Sequence, residues 1–299
     1  MAVSHGVARW EGLRILGLIA SYRKLGNTEV LVREALRAAE GEGADVELIR
    51  LTDLDIKPCK GCMACLFKGE RCNIGDDMPK LLDAIVEADG LIVGAPTYIL
   101  SPPGIIKMAL DRLIELMSPG RLKALAGRRR ASGILAVATE PEDWAPFTLP
   151  ILKLFCYACL TQPVDWGIVA ASGPGEVAVD EEAISLARRV GRSVVRALHG
   201  GPVEVPRKPN SCPICGESLV ELLPDGSIRC PICGIRGQVR IVDGRLELYF
   251  KPEELRRSRW ELENAIRHVM EVIMPTRDKW LRLRRDIKEA LARLGYGRG

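Results

Sequence analysis

Short runs that predict β-strands alternate with segments of helical spacing over the first two thirds of the chain. Four of the runs are mostly apolar, and one alternates apolar and polar residues. The runs cover residues 13–20, 45–51, 90–95, 132–139 and 164–171. Buried strands that alternate with helices are typical of a parallel sheet covered on both faces. The pattern therefore predicts an α/β fold with five parallel strands.

The loops that follow these strands carry the candidate chemistry. In open parallel sheets, ligands bind at the carboxyl ends of the strands. The loops after the first, third and fourth strands should therefore lie at one edge of the sheet. A cysteine-rich stretch follows the second strand, and we expect it to join the same edge.

The loop after the first strand, residues 21–28, ends where a helix begins. Unpaired backbone N–H groups at a helix start attract phosphate. Polar or flexible residues of this loop could assist, and they are Ser21, Arg23, Gly26, Asn27 and Thr28. The P-loop and dinucleotide glycine signatures are both absent. A terminal phosphate monoester such as that of FMN fits better, and a well-capped helix without a ligand is the alternative.

The loops after the third and fourth strands could hold the ring of a cofactor. Pro96, Thr97 and Tyr98 supply a turn, a hydroxyl and an aromatic face, although ordinary packing would also explain the tyrosine. Lys107 and Arg112, further along, are interpreted as surface or structural charges. The loop that starts at Thr139 is acidic, which disfavours an anionic partner such as NADPH or an acidic ferredoxin.

Four cysteines fall within fourteen residues of the stretch after the second strand, hereafter the cysteine loop. They are Cys59, Cys62, Cys65 and Cys72, spaced C-x2-C-x2-C-x6-C. Closely spaced thiolates of this kind ligate iron–sulfur clusters. Structural zinc is usually bound by two separated pairs. The spacing favours a cluster, and a zinc loop or metal-free thiols are the alternatives.

Three motifs together resemble those of the iron–sulfur flavoproteins, part of the flavodoxin-like, NAD(P)H-dependent FMN reductase superfamily. The motifs are SYRKLGNT (21–28), CKGCMACLFKGERC (59–72) with Asp76-Asp77-Met78, and APTYILSPPGIIKMALDR (95–112). The resemblance covers about residues 13–200, and the cysteine run is its most specific part. It implies a doubly wound sheet of order 2-1-3-4-5, one FMN and one 4Fe–4S cluster. It also implies oligomers in which the flavin and the cluster of different subunits approach each other.

The resemblance assigns roles by position. Ser21, Arg23, Gly26, Asn27 and Thr28 would hold the phosphate, and Pro96, Thr97, Tyr98 and Ile99 would line the flavin. Cys59, Cys62, Cys65 and Cys72 would ligate iron. Thr139 completes the set of cofactor-binding candidates.

A second set of cysteines lies beyond a proline-containing linker. Cys212, Cys215, Cys230 and Cys233 form two C-P-I-C-G knuckles, which predict a four-thiolate zinc ribbon; a single iron, as in rubredoxin, is the alternative. The predicted domains are residues 1–202, 203–250 and 251–299. The last of these has 13 Lys and Arg against 8 Asp and Glu. Its helical spacing indicates a packing or dimerising helix, and we consider nucleic-acid binding the weaker interpretation.

Composition narrows the setting of the protein. The 299 residues contain no apolar run of about 20, so we expect no membrane span. The apolar stretch 13–20 lacks the features of a signal peptide, and ten cysteines in small groups suit metals better than disulfides. We therefore expect a cytoplasmic protein. Cys156 and Cys159 lie in an apolar helix, which favours inert buried thiols over a redox dithiol.

The sequence as a whole predicts an FMN- and 4Fe–4S-dependent oxidoreductase that passes electrons between flavin and cluster. One alternative is an NAD(P)H-dependent FMN or quinone reductase without a functional cluster. Another is a zinc-ribbon interaction protein on a flavodoxin-like scaffold. The expected partners are ferredoxin or NAD(P)H and further copies of the chain.

Overall fold

The main sheet consists of five parallel strands in the order β2-β1-β3-β4-β5. The structure is a computed structural model that describes residues 12–208 and 210–296. The strands are β1 (Arg14–Ile19), β2 (Asp45–Arg50), β3 (Gly90–Pro96), β4 (Ala131–Ala138) and β5 (Gln162–Ala170). All five lie within a few residues of the predicted runs. The predicted doubly wound, flavodoxin-like fold is confirmed.

Helices cover both faces of this sheet. One face carries α1 (Asn27–Glu40) and α8 (Glu181–Leu198) and the other α3 (Met78–Glu87), α4 (Gly104–Arg112) and α7 (Thr148–Ala158). Three short helices lie in the connections: α2 (Ala64–Phe67), α5 (Pro119–Leu125) and α6 (Pro141–Trp144). A buried apolar cluster separates each helical layer from the sheet, which accounts for the mostly apolar strands.

Helices α1 and α8 approach each other closely at Gly191. A β-carbon placed on this residue would lie 2.0 Å from the carbonyl oxygen of Ala35. Backbone cannot move aside as a flexible side chain can, so only glycine allows this crossing. The contact fixes α1, and with it the loop that precedes α1.

The C-terminal module contains a small antiparallel sheet. Its strands are β6 (Glu221–Leu222), β7 (Ile228–Arg229), β8 (Arg236–Val242) and β9 (Arg245–Tyr249). A third buried cluster joins its cysteines to Tyr157 on α7. Trp260 stacks on the Tyr157 ring at 5.2 Å and donates from Nε1 to the carbonyl of Ile232 at 2.8 Å. The module is therefore packed on the α/β domain.

A fully buried lysine on α7 strengthens this contact. The Lys153 ammonium donates to the Cys215 carbonyl at 2.8 Å and to the Glu217 carboxylate at 2.5 Å. It also lies 3.6 Å from the centre of the Trp166 ring. Burial lowers the pKa of Lys153 despite the neighbouring carboxylate. The lysine thus links the knuckle backbone to the main domain.

The chain ends in helices α9 (Pro252–Leu255), α10 (Leu262–Arg267) and α11 (Pro275–Arg293). Between the last two, residues 268–273 form a π-helical turn, in which Met274 N–H donates to Val269 at 2.9 Å. Pro275 has no N–H to offer the preceding turn, which explains the irregularity. The helical tail thus changes its hydrogen bonding just before Pro275. No residue of α11 is buried within one chain, whereas Val269 before it is buried and Trp260 stacks on Tyr157. The packing or dimerising role of the tail stays a prediction.

Every helix within residues 12–208 and 210–296 is too short or too polar to cross a bilayer.

Replacement of Gly191 by alanine should destabilise the domain because the new methyl group must displace the α1 backbone. We expect a loss of about 2–3 kcal/mol in the free energy of unfolding, measured by urea denaturation. Gly120→Ala is the matched control, since open space surrounds that position in α5. Equal stability of the two variants would contradict the proposed close contact.

Lys153→Met should leave the Glu217 carboxylate without its cation and cost about 3 kcal/mol of stability. The double variant Lys153→Met/Glu217→Gln should recover at least half of that loss, because no charge then remains unpaired. Thermal and urea unfolding of both proteins would measure the difference. Additive losses would show that the two side chains do not interact.

Candidate functional site

The loops after β1, β3 and β4 lie side by side. Ile19 pairs with Gly94, and Pro96 pairs with Val137, so the three strands end in register. A β-carbon on Gly94 would lie 2.4 Å from Val32 and 2.9 Å from Thr28, and the glycine thus lets the start of α1 lie close against β3. The structure therefore brings the candidate phosphate and ring loops to one sheet edge.

The start of α1 has no side-chain cap, so its first N–H groups are available to an anion. Ser21 is buried, and its Oγ accepts from the Arg23 N–H at 3.3 Å. Arg23 itself is exposed and makes no ion pair within the described part of the chain. Thr28 is buried against Gly94. These features suit a phosphate.

Asn27 has a different environment from the one the sequence suggested. Its side-chain amide donates to the Gly173 carbonyl at 2.8 Å, and its Oδ1 accepts from the Val177 N–H at 3.2 Å. The side chain thus fastens this loop to the segment after β5. Its role toward a ligand would come from its backbone N–H.

A buried glutamate shapes the same loop. Glu29 accepts from the Leu25 N–H at 2.8 Å and pairs with Arg33 and Arg50. Burial opposes ionisation, but these hydrogen bonds and cations outweigh it and lower the pKa of Glu29. Arg50 also donates to the Ser21 carbonyl at 2.9 Å. Neither Glu29 nor Arg50 was predicted to shape this loop, although the charge of Arg50 at the end of β2 was a signal.

The loop after β3 makes a tight turn. Tyr98 and Ser101 exchange backbone hydrogen bonds of 2.7 and 3.3 Å, while Ile99 and Leu100 have φ values of 47° and 68°. A β-branched residue in the left-handed region is strained, and such strain concentrates at functional sites. Ile99 is 92% exposed. The turn thus presents an isoleucine and its backbone to whatever occupies the site.

Three exposed aromatic side chains, hereafter the aromatic rim, flank this turn: Tyr98, Trp144 and Phe147. Backbone and side-chain bonds join the loops, since Phe147 N–H donates to Leu100 at 3.1 Å and the Thr97 and Thr148 hydroxyls lie 2.9 Å apart. Thr139 is exposed beside the acidic residues of α6. The rim could accept a flat apolar molecule.

The four thiols of the cysteine loop differ in their exposure to solvent. Cys59 and Cys62 are exposed, whereas Cys65 and Cys72 are partly buried. Burial is the main cause that raises the pKa of Cys65 to about 11, and Glu115, Cys72 and Cys59 add to it. Three of the four thiols are thus neighbours. A four-iron cluster holds each thiolate on a separate iron atom, so its ligands need not meet at one point.

An ion pair closes the base of the cysteine loop. The Arg112 guanidinium donates to the Asp76 carboxylate, and both side chains are buried. Asp76 also accepts from the Lys57 N–H at 2.9 Å and from the Met78 N–H at 3.2 Å. Within the residues that the structure describes, Arg112 Nε and Nη2 have no hydrogen-bond partner. These orphaned donors beside the thiols fit an anionic sulfur cluster.

The cysteines lie away from the flavin candidates within one subunit. The Cys72 N–H donates at 3.1 Å to Glu115, in the 3-10 segment Leu113–Met117 that follows α4. Gly104, at the other end of α4, follows the loop after β3. Eight residue steps separate Gly104 from Arg112, or about 12 Å along the helix. The base of the cysteine loop and Cys72 thus both lie beside the far end of α4.

The thiols of the C-terminal module form a compact site. The sulfur atoms of Cys212, Cys215, Cys230 and Cys233 all lie within 4.8 Å of one another, and those of Cys215 and Cys230 are 3.6 Å apart. Metal–sulfur bonds of about 2.3 Å in a tetrahedron place sulfurs about 3.8 Å apart. Four buried thiols at this distance fit one tetrahedral metal ion, and either zinc or iron satisfies that geometry.

The thiols of the apolar helix are separate from both sets. Cys156 and Cys159 are fully buried. Burial is the first cause that raises the pKa of each thiol, to about 12 for Cys156. A thiol with so high a pKa is unreactive near neutral pH. The structure therefore agrees with a packing role.

Comparison with known proteins gives consistent results. The profile of the NADPH-dependent FMN reductase family matches residues 13–138. An iron–sulfur flavoprotein of Methanocaldococcus jannaschii is 31% identical over 194 residues, which cover 62% of this chain and 97% of the relative. One from Archaeoglobus fulgidus is 30% identical over 187 residues, with 62% and 80% covered. Both of these relatives are named as iron–sulfur flavoproteins.

Two further matches extend into the C-terminal part. The flavone synthase cfoJ of Aspergillus candidus is 30% identical over 257 residues, or 77% of this chain and 79% of the relative. A solved structure of a flavone reductase has a TM-score of 0.74 at 20% identity and covers 96% of this chain and 99% of that one. The latter match concerns the fold alone.

The flavodoxin-like sheet, the loops at its edge and these relatives lead to one conclusion. The chain belongs to the iron–sulfur flavoprotein family and is a flavin-dependent oxidoreductase with an additional C-terminal cysteine cluster.

Proposed function

We propose that this protein passes electrons between an FMN and a 4Fe–4S cluster held by Cys59, Cys62, Cys65 and Cys72. The observation that carries the proposal is the grouping of Cys59, Cys65 and Cys72 beside a buried arginine with unpaired N–H groups. The loop therefore suits a cluster better than it suits free thiols.

We place the FMN at the edge formed by the loops after β1, β3 and β4. The start of α1, with Ser21, Arg23, Gly26, Asn27 and Thr28, would bind the phosphate. The ring would lie against the turn Pro96–Ile99 and near Thr139. When bound, FMN exchanges two electrons with a hydride donor or acceptor and single electrons with a cluster. The chain itself supplies binding and orientation.

We propose that zinc occupies the C-terminal site. It would stabilise the module, which Lys153 and Tyr157 of α7 contact. A structural zinc site typically has four protein ligands and no open position, as these four buried thiols provide. A single iron is the alternative and would make the site a third redox centre. All ten cysteines are free, which suits a reducing compartment such as the cytoplasm.

We propose a homo-oligomer and a soluble redox partner such as ferredoxin or NAD(P)H. The separation of thiols and flavin loops along α4 favours electron transfer between neighbouring subunits. The acidic residues Glu140, Glu142 and Asp143 beside the site disfavour close approach of a strongly anionic partner. They leave room for a partner that docks on another face.

Cys65→Ser should remove the loop iron while FMN and zinc remain. We expect about four irons, one zinc and one FMN per chain in the wild-type protein purified without oxygen. Metal analysis and flavin absorbance would measure all three. Cys156→Ala is the control, and it should keep every cofactor. A wild-type protein that binds flavin but no iron would contradict the proposal.

A second candidate function is the reduction or oxidation of a planar aromatic molecule by the flavin. The aromatic rim favours this function. The flavone synthase relative favours it too: the match covers 77% of this chain, so it extends beyond the α/β domain, which ends at residue 202. Exposed aromatic side chains stack readily on flat apolar ligands. We expect the rim to lie over the ring of the bound FMN.

Trp144→Ala should then weaken the binding of a flavone at least fivefold, seen as a higher KM for flavone-dependent reoxidation of the reduced flavin. Trp280→Ala, which removes an exposed tryptophan of α11, should leave that KM unchanged. If flavone does not reoxidise the reduced flavin of the wild-type protein, this candidate function is excluded.

A further inference from the structure

Arg112 is a charged residue on the buried face of α4, in line with Ile105 and Ala109. It is 3% exposed at the end of α4, below the cysteine loop. One of its nitrogens, Nη1, donates to the Asp76 carboxylate and to the Lys57 carbonyl at 3.3 Å. The other two, Nε and Nη2, have no partner in the part of the chain that the structure describes. A buried charged donor without a partner is costly, so a further acceptor is expected beside Nε and Nη2.

Sulfur is the acceptor chemistry on that side. Burial opposes the charge of Arg112, but the Asp76 carboxylate and then the neighbouring Cys72 sulfur raise its pKa. The Cys72 N–H is held by Glu115, which fixes this cysteine beside the guanidinium. Cys72 is also the ligand that follows the longest gap in the cysteine run. The arginine therefore lies where the cluster's fourth ligand closes the loop.

Asp76 uses only one nitrogen of the Arg112 guanidinium. Its carboxylate also accepts from two backbone N–H groups: that of Lys57, on the oxygen that Arg112 contacts, and that of Met78, on the other oxygen. The nearest other buried carboxylate, Glu115, pairs with Arg121 at 3.1 Å and so has its own cation. Arg112 thus keeps two unpaired N–H groups, and the Cys72 sulfur is a neighbouring acceptor.

We propose that Arg112 donates hydrogen bonds to the sulfur of Cys72 and thereby raises the reduction potential of the cluster. The inference rests on the proposed function, in which the loop holds a cluster. Reduction adds one electron to an already anionic centre, and N–H donors stabilise the more negative form. Arginine remains charged at any working pH, so this effect is permanent. Arg112 acts through Cys72. Asp76, in turn, positions Arg112.

Two variants test the role. Arg112→Lys keeps one charge, but a compact ammonium cannot reach Asp76 and Cys72 together. Asp76→Asn/Arg112→Gln removes both charges and leaves no buried ion unpaired. Arg189→Lys is the matched control, because Arg189 pairs with the buried Asp165 on the opposite face of the sheet. Each full-length protein is purified without oxygen, and its cluster is titrated against potential by EPR.

We expect the double variant to be at least tenfold less reduced at the wild-type midpoint, which corresponds to a fall of about 59 mV for one electron. Arg112→Lys should shift in the same direction by less, and the control should not shift. Iron retained with an unchanged midpoint in both variants, or iron lost from both but not from the control, would overturn the tuning role. A wild-type protein without iron would refute the proposed function instead.

Discussion

The buried ion pair between Asp76 and Arg112 is the interaction on which the cysteine loop depends. Much of residues 57–75 is polar and exposed, and Leu66 and Ile74 are its buried apolar anchors. Such a segment gains little from hydrophobic burial. The Asp76 carboxylate accepts from both ends of the cysteine loop, from the N–H groups of Lys57 and Met78. The Arg112 guanidinium contacts the loop from α4. The desolvation cost of the pair is offset by these extra hydrogen bonds. A cluster would complete the set, so folding of the loop and metal binding are coupled.

The positions of the two candidate centres define how electrons could move. The flavin loops lie at the start of α4 and the thiols beside its end, so α4 sets the separation within one subunit. Ile99, in its strained turn, and the aromatic rim are exposed at the candidate flavin site. Another molecule can therefore approach that site. That molecule could be a neighbouring subunit or an organic substrate. The C-terminal module contributes elsewhere, because Lys153 and Tyr157 fix it to α7.

Periodicity alone predicted the sheet because each buried strand carries its own signal. The fourth strand was expected at 132–139 and lies at Ala131–Ala138. The two cysteine knuckles could also be predicted, since the two cysteines of each pair are close in sequence. Long-range polar partners were not: Arg112 meets Asp76 across 36 residues, and Asn27 meets Gly173 across 146. Helical spacing does not encode such partners. Lys153 could have been found, because a single lysine in an apolar helix needs a buried partner.

The central claim is that flavin and cluster exchange electrons in the assembled protein. Its most direct test is anaerobic mixing of the oxidised protein with a hydride donor, followed by stopped-flow absorbance of the flavin and freeze-quench EPR of the cluster. We expect the signal of the reduced cluster to grow as electrons leave the flavin, with a shared rate constant. A flavin that becomes fully reduced while the cluster stays oxidised would contradict the claim.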